Sequence, residues 1–186
     1  MAVCTNITLV AVGDHDSKKT DLLLKYTTDK KLREEFKPSI FTNNVQSVIV
    51  DRALYSVHFV NAESEDVFKS LRLKDYEKAD CFLLCYSIKS RTSFENIAKW
   101  CIEVRRCLRH IPLVLIGTES ESRRNTTDYV SKEEGENLMY LIDAVGFVEC
   151  SIKDYLRVDD VFKTAIRSVH RRKLRNFSRY IFCHHT

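Results

Sequence analysis

The chain lacks the features of several protein classes. Among its 186 residues there is no run of about 18 apolar positions, and the first residues hold no charged segment that leads into an apolar core. We therefore expect neither a membrane-spanning helix nor a signal peptide. None of the seven cysteines forms a C-x-x-C pair, which argues against a zinc site and favours buried, reduced thiols. These absences predict one soluble, intracellular domain.

Glycine is also scarce, with four in the chain, and one absence falls within the most informative motif. Residues 13–20 read Gly-Asp-His-Asp-Ser-Lys-Lys-Thr, which is the phosphate-loop pattern G-x-x-x-x-G-K-[ST] with Lys18 in place of the second glycine. The side chain of Lys18 crowds the approach of the backbone to a phosphate, although its ammonium adds a cation there. In the intact motif the lysine, here Lys19, reaches the outer phosphates, and the hydroxyl, here Thr20, binds Mg²⁺. The expected phosphate-binding residues are Gly13, Asp14, His15, Asp16, Ser17, Lys18, Lys19 and Thr20.

Acidic residues are missing from the last 16 positions, where basic ones gather. Removing the five basic residues of this segment leaves 25 basic and 26 acidic residues in the rest of the chain. The basicity therefore belongs to the tail, which argues against a nucleic-acid-binding face and favours attraction to an anionic membrane surface. A second interpretation is that residues 171–173 extend the last helix as a solvated face. We divide the chain into a domain of residues 1–170 and a basic tail of residues 171–186.

Apolar runs alternate with helical periodicity along the chain. The predicted strands are residues 7–12, 45–51, 54–60, 81–87, 113–117 and 147–151. The predicted helices are residues 19–28, 66–78, 93–108, 132–145 and 158–173. The second and third strands are close enough to form a hairpin across residues 51–53. This order predicts an α/β fold with a six-stranded, mostly parallel sheet, one antiparallel pair, helices on both faces, and a ligand at the carboxyl ends of the strands.

Several stretches together resemble the Rho family of small GTPases, near its Rac and cell-division-control branches, over about residues 7–170. The most specific are residues 26–29, 37–41, 80–87, 93–97, 116–118 and 149–151, with Lys-Pro-Ser-Ile-Phe at 37–41 and Asp-Cys-Phe-Leu-Leu-Cys-Tyr-Ser at 80–87. The resemblance implies a P-loop fold that binds GTP or GDP with Mg²⁺. It also implies two segments that contact effector and regulatory proteins of Rho-type signalling.

The positions that act on the phosphates and the metal depart from the family pattern. Ser39 stands where the family has a threonine that ligates Mg²⁺, so the resemblance assigns the metal to Thr20 and Ser39. In the second switch segment, Asp-Thr-Ala-Gly-Gln becomes Asn-Ala-Glu-Ser-Glu at residues 61–65. Glu65 replaces the glutamine that orients water, and His15 replaces a glycine near the transition state. We therefore expect no functional catalytic residues and poor hydrolysis.

Base recognition is altered as well. The family's Thr/Asn-Lys-x-Asp signature reads Thr118-Glu119-Ser120-Glu121, so the guanine-binding carboxylate is one methylene longer and the lysine has become an acid. In the Ser-Ala-Lys/Leu signature, Ile152 follows Ser151 where the family has alanine. The resemblance assigns the base to Thr118, Glu121, Ser151 and Ile152. The polar loop between 121 and 131 is too short for the full Rho-type insert helix.

Partner binding is expected at segments that the family exposes to effectors, with Ile40, Phe41, Phe68 and Leu71 as the contacts. The alternative is that some of these apolar side chains belong to the core. Cys183 is fourth from the end, as in a prenylation motif C-a-a-X, but His184, His185 and Thr186 are not its usual residues. Lipidation and an unmodified thiol both remain open. The acidic residues near 63–66 fit a solvated loop better than a metal or acid-base site, and the two terminal histidines fit a polar ending.

Two functions follow from this pattern. The first is an atypical Rho-like signalling GTPase in the cytoplasm and at the cytosolic face of a membrane, with weak or unusual GTP and GDP binding. The alternative is a nucleotide-free pseudo-GTPase that binds or sequesters signalling proteins.

Overall fold

The computed structural model describes residues 4–32, 45–123 and 128–183, and it describes side chains within residues 4–28, 45–123 and 128–175. Its six strands form one sheet in the order β2-β3-β1-β4-β5-β6. All neighbouring pairs are parallel except β2 and β3, so the predicted mixed sheet is confirmed. The strands are β1 Thr5–Val12, β2 Val45–Val50, β3 Ala53–Asn61, β4 Cys81–Ser87, β5 Leu113–Thr118 and β6 Gly146–Glu149.

Six α-helices connect and cover these strands within the described residues. They are α1 Lys19–Leu32, α2 Lys69–Tyr76, α3 Arg91–Glu95, α4 Ile97–Cys107, α5 Lys132–Leu141 and α6 Val158–Cys183. α6 continues well past the predicted end at 173, so the basic residues that follow the domain lie on a helix. In the described part of the chain, no helix combines the length and apolarity needed to cross a membrane.

Among the predicted boundaries that were wrong, three have a local reason. The helix predicted at 66–78 begins as a 3₁₀ turn, Asp66–Phe68, before α2. The helix predicted at 93–108 is divided at Asn96, and Ser90 caps its first part by accepting a hydrogen bond from the backbone of Ser93. α5 ends before 145 because Asp143 takes a left-handed conformation, with φ at 52°, which releases the chain into β6.

The predicted hairpin between β2 and β3 is confirmed, and its turn is tighter than expected. Val50 pairs with Ala53, which leaves a two-residue loop of Asp51 and Arg52 with φ angles of 50° and 66°. Two successive positive φ angles are the mark of a type I′ turn, whose twist matches that of the strands it joins. Ala53 therefore belongs to β3 and not to the loop.

Apolar side chains fill both faces of the sheet. On one face α1 and α6 contribute Tyr26 and Phe162, whose rings stack with centroids 3.8 Å apart. On the other face α2 and α4 contribute Tyr76 and Trp100. Of the six cysteines whose side chains are described, all free, four are buried and two, Cys4 and Cys107, are exposed. Burial raises the pKa of the Cys81 thiol to about 12, so this thiol stays protonated and packs as a small apolar group.

Candidate functional site

The carboxyl ends of the parallel strands meet at one edge of the sheet, and the loop after β1 lies there. Gly13 has a φ of 149°, and a Cβ at this position would come within 2.3 Å of the Cys85 carbonyl oxygen, so a side chain does not fit. A 3₁₀ turn, His15–Ser17, follows, and α1 begins at Lys19. This strand-turn-helix setting is the one that a phosphate loop requires.

Lys18 occupies the backbone conformation for which the motif normally uses glycine. Its φ and ψ are 60° and 22°, in the left-handed region, at a cost of about 1 kcal/mol for a residue with a Cβ. Its ammonium lies 3.7 Å from a carboxylate oxygen of Asp21. The ammonium of Lys18 is thus paired with an acidic side chain in the first turn of α1.

Side chains from neighbouring elements hold the loop in place. The carboxylate of Asp14 accepts hydrogen bonds of 2.7 Å from the amide of Asn96 and from the indole of Trp100. The hydroxyl of Ser17 donates to the Asp14 carbonyl oxygen over 2.7 Å. Asp16 accepts a hydrogen bond from Ser90. These hydrogen bonds therefore hold the loop against the start of α3 and against α4.

The key cation of the loop has an internal partner. Lys19 is only 4% exposed, and its ammonium donates a hydrogen bond to the hydroxyl of Ser64, which in turn donates to the Gly13 carbonyl oxygen over 2.9 Å. Burial lowers the pKa of Lys19, and the nearby carboxylates of Glu63 and Asp14 oppose that shift. We call the arrangement of Lys19, Ser64 and Gly13 the loop clasp. It closes the second switch segment over the phosphate loop.

The expected metal side of the site is made of neutral groups. The amide nitrogen of Asn61 donates to the Thr20 hydroxyl over 2.9 Å. The amide oxygen of Asn61 is buried and has no hydrogen-bond partner in the described structure. These two oxygens fit a hard cation such as Mg²⁺, but neither carries charge. The described residues hold no group of three or more His, Cys, Asp or Glu that suits a metal, and Ser39 lies outside them.

The last residue of β5 and the segment after it carry the first part of the expected base site. The Thr118 hydroxyl is buried within hydrogen-bonding distance of the Ser17 carbonyl oxygen, at 2.9 Å, which joins this segment to the phosphate loop. Glu119 turns back toward β4 and accepts hydrogen bonds from the Ser87 hydroxyl at 2.6 Å and the Lys89 ammonium at 2.9 Å. Although burial opposes the shift, these two donors keep the pKa of Glu119 below its usual value. Glu119 is acidic where the family has a lysine, and its charge is thus paired with Lys89 from the connection between β4 and α3.

The second part of the base site lies beside the first. The backbone amide of Ser120 donates to the Cys150 carbonyl oxygen over 3.1 Å, which brings 118–121 next to 150–152. Glu121 is exposed in a 3₁₀ turn. The hydroxyl of Ser151 is engaged with the backbone and carboxylate of Asp154, both at 3.0 Å, and Ile152 packs against the core. The structure therefore brings together the two segments that carry the four residues assigned to guanine.

The second switch segment is fastened by an arginine that sequence reasoning did not identify. The side chain of Arg72 is 0% exposed and makes two hydrogen bonds to the Glu103 carboxylate, at 2.8 and 2.9 Å, and one to the Glu65 carbonyl oxygen at 2.8 Å. Its guanidinium lies 5.2 Å from the Trp100 ring centroid, and Tyr76 donates to Glu103 over 3.1 Å. The charged pattern of this helix carries no signal that its arginine is buried. We call the Arg72–Glu103 pair the switch brace.

The expected partner residues and the two substituted positions, His15 and Glu65, lie in different parts of the structure. Phe68 and Leu71 are exposed, at 43% and 54%, and Val67 beside them is 84% exposed, so these side chains are not core. Ile40 and Phe41 lie outside the described residues. His15 and Glu65 are both exposed. Cys183 is the last residue of α6, and its side chain lies outside the described part.

Comparisons with known proteins agree with this architecture. Residues 8–171 match the sequence model of the Ras family. The chain is 37% identical to the Ras-like GTP-binding protein RhoL of Drosophila melanogaster over 166 residues, which cover 88% of this chain and 87% of that protein. It is 32% identical to the Rho-related GTP-binding protein RhoH of Bos taurus, covering 95% and 94%, and 30% identical to RhoH of Mus musculus, covering 96% and 95%.

Proposed function

Since the chain belongs to the Rho-type small GTPases of the Ras family, we propose that it is an atypical signalling member that binds GTP and GDP weakly and hydrolyses GTP poorly. The observation that carries this proposal is the loop clasp. The cation that family members direct at the outer phosphates already has a hydrogen-bond acceptor here, supplied by Ser64. A nucleotide has to displace this bond, so part of its interaction energy is spent on opening the clasp.

The metal site supports weak binding. GTP and GDP would be held with Mg²⁺ by Thr20 and the amide oxygen of Asn61, with Ser39 as a further hydroxyl. The cation supplies charge neutralisation between phosphate oxygens when it is bound. The neutral oxygens of Thr20 and Asn61 give the cation less electrostatic support than a carboxylate does, and the family has a carboxylate where this chain has Asn61. We therefore expect a small dependence of affinity on Mg²⁺.

Poor hydrolysis follows from two side chains. Glu65 places a carboxylate where the family orients water, and at about 4 Å with an effective dielectric constant near 20 its repulsion from each phosphate charge is ~4 kcal/mol. His15 adds bulk on the phosphate loop where the family has glycine. Both side chains are exposed at the same edge of the sheet.

Partner binding does not need an intact nucleotide cycle in this proposal. The switch brace holds residues 65–72 to α4 through hydrogen bonds of the protein itself. The same segment displays Val67, Phe68 and Leu71 to solvent. We infer that this apolar group meets effector or regulatory proteins, with Ile40 and Phe41 as the other contacts. The Rac and cell-division-control branches are the relatives that the sequence resembles in these segments.

The alternative, a nucleotide-free scaffold that sequesters signalling proteins, is favoured by the same clasp, because Lys19 has its partner without a phosphate. For either function we place the protein in the cytoplasm and at the cytosolic face of a membrane. The tail would hold it there through its basic residues and a lipid on Cys183. The intact mass of protein purified from its native cell tests the lipid, and an unmodified Cys183 would refute it.

Fluorescently labelled GTP and GDP, titrated into the purified protein with and without Mg²⁺, test the leading proposal. We expect dissociation constants in the micromolar range, a small effect of Mg²⁺, and loss of binding in Lys19→Ala. Lys25→Ala, on the same helix, is the matched control and should bind as the wild type does. Absence of binding at millimolar nucleotide would select the scaffold. Tight, strongly Mg²⁺-dependent binding with turnover like that of an intact relative would refute both.

A further inference from the structure

Two adjacent segments, residues 118–121 and 150–152, form the part of the site where a nucleotide base would lie. Their signature positions carry the polar side chains of Thr118, Glu119, Glu121 and Ser151. A site selects one base strongly when its buried hydrogen-bonding groups pair with that base and lose their partners when another base replaces it. Selectivity therefore depends on which of these four groups are left for a base.

The two hydroxyl groups are already used within the protein, and both residues are 0% exposed. The Thr118 hydroxyl lies 2.9 Å from the Ser17 carbonyl oxygen and 3.1 Å from that of Tyr86. The Ser151 hydroxyl donates to the Asp154 carboxylate and accepts from the Asp154 backbone amide, both at 3.0 Å. Because a hydroxyl has a single hydrogen to donate, neither side chain has one left for a base.

The Glu119 carboxylate is held by groups at the end of β4 and just after it. One of its oxygens accepts a hydrogen bond from the Ser87 hydroxyl at 2.6 Å, and the other accepts one from the Lys89 ammonium at 2.9 Å. The Glu119 side chain is 16% exposed, so salt and water screen this ion pair only partly. A base that recruited Glu119 would break two charged hydrogen bonds to form new ones, with little net gain in affinity.

Glu121 is the remaining carboxylate of the four side chains. It is exposed in the 3₁₀ turn Ser120–Ser122. When a base without matching donors is bound, water solvates this carboxylate, so the mismatch leaves no buried group unpaired. A hydrogen bond at such a position changes affinity by about tenfold or less. None of the four side chains is thus both buried and available to a base.

The phosphate side of the site offers contacts that do not depend on the base. The Lys19 ammonium and the N-terminus of α1 would contact phosphate groups, which are the same in GTP and ATP. We propose that the site recognises the triphosphate and binds GTP, ITP and ATP with similar affinity, because the side chains at its base segments no longer select guanine. This inference rests on the proposed function, since the same loop would hold each nucleotide.

Competition titrations on the purified full chain test this proposal. GTP labelled on its ribose is bound first, and unlabelled GTP, ITP or ATP then displaces it at a fixed Mg²⁺ concentration. ITP lacks the 2-amino group of guanine, and ATP also has an amino group in place of the 6-keto oxygen. We expect the three dissociation constants to agree within about threefold, since the groups that would tell the bases apart are exposed or already engaged. A preference for GTP over ATP of more than about tenfold would refute the proposal.

A variant that restores the family signature gives the positive comparison. In the double substitution Glu119→Lys and Glu121→Asp, we expect the preference for GTP over ATP to rise by at least about tenfold, since both positions regain the charge and length that the signature has. The matched control makes the same two changes at exposed positions of α5, with Glu133→Lys and Glu136→Asp, and should alter the preference by less than about twofold. Circular dichroism checks that each variant keeps the fold. An unchanged preference in the restored variant would refute the assignment of the lost selectivity to these side chains.

Failure of this inference is distinguishable from failure of the proposed function. If labelled GTP does not bind at millimolar concentration, the proposed function fails and this inference fails with it. If labelled GTP binds and ATP does not displace it, the proposed function stands and only the loss of selectivity is refuted.

Discussion

The ammonium of Lys19 donates a hydrogen bond to the hydroxyl of Ser64, 45 residues away in the chain. The hydroxyl of Ser64 in turn donates a hydrogen bond to the Gly13 carbonyl oxygen. A residue at which the family has glycine thus closes the phosphate loop from the second switch segment. The serine at this position gives the buried lysine a hydrogen-bond partner that a glycine has no side chain to supply.

Removing the loop clasp should lower the free energy of unfolding and raise the affinity for nucleotide. In Ser64→Ala the Lys19 ammonium loses its acceptor, so we expect the nucleotide-free protein to lose about 1–3 kcal/mol of unfolding free energy. Affinity for GTP should rise about tenfold, because the ligand no longer competes with an internal hydrogen bond. Urea unfolding and labelled-GTP titration measure the two effects. Ser70→Ala, an exposed hydroxyl on α2, is the control, and unchanged affinity in Ser64→Ala would contradict the role of the clasp.

A carboxylate at 61 should restore metal dependence. Asn61→Asp places a charge beside the Thr20 hydroxyl, where the amide now donates its hydrogen bond. We expect Mg²⁺ to strengthen GTP binding by about tenfold or more in this variant, and binding without Mg²⁺ to be no tighter than in the wild type, since the carboxylate repels phosphate. Titrations at several Mg²⁺ concentrations report the change. Asn137→Asp, exposed on α5, adds the same charge elsewhere and should leave the Mg²⁺ dependence unaltered.

The switch brace should contribute strongly to stability. Arg72→Met leaves the Glu103 carboxylate, itself 12% exposed, without its main partner, and we expect a loss of about 3–5 kcal/mol in the free energy of unfolding. Asp66→Asn removes the other acidic partner of Arg72. Because the Asp66 side chain is 71% exposed and solvent screens the pair, this substitution should cost much less than Arg72→Met. Urea unfolding compares the two variants. Similar losses in both would show that burial of the Glu103 pair is not the cause.

The start of α5 should make the fold sensitive to acid. Hydrogen bonds from the Arg91 guanidinium and the Ser131 backbone lower the pKa of Glu134 from 4.5 to about 2. A carboxyl group with a lowered pKa in the folded state stabilises the fold above the unfolded value. That contribution is therefore complete above pH 4.5 and is lost as the pH falls toward about 2.

Thermal melting at pH 7, 4.5 and 3 checks this expectation. Glu134→Gln keeps a side chain that suits the capping box with Ser131, so its melting temperature at pH 7 should fall by only a few degrees. Between pH 4.5 and 3 it should lose less stability than the wild type does. Glu133→Gln, exposed one position earlier, should follow the wild-type curve, and parallel curves for all three proteins would contradict the prediction.

Much of the fold was predictable because its signals are local. The β-branched run before Gly13 and the apolar run at 81–87 indicated buried strands, and the hairpin followed from two runs separated by a short polar break. The errors were at helix ends, such as Asp143, where a single left-handed residue stops α5. Propensity is weak at such positions because hydrogen bonds to the next strand decide them.

The candidate site was predictable in position but not in its contacts. Motif spacing located Lys19, Thr118 and Ser151, and the structure brings their segments to one edge of the sheet. No motif indicated that Lys89 pairs with Glu119, or that Arg72 is buried against Glu103. These partners lie on different elements, so only the packing of the helices against the sheet places them together.

By itself the sequence determined the order of strands and helices, the altered phosphate loop and the basic end of the chain, because periodicity, backbone preference and charge are properties of neighbouring residues. The tertiary structure alone decided that Ser64 reaches Lys19, that one arginine of the second switch segment is buried, and that the carboxylate of Glu119 is held by Ser87 and Lys89. The reason is that strand order and helix packing set the distances between residues far apart in the chain, and hydrogen bonds and ion pairs form only at those distances.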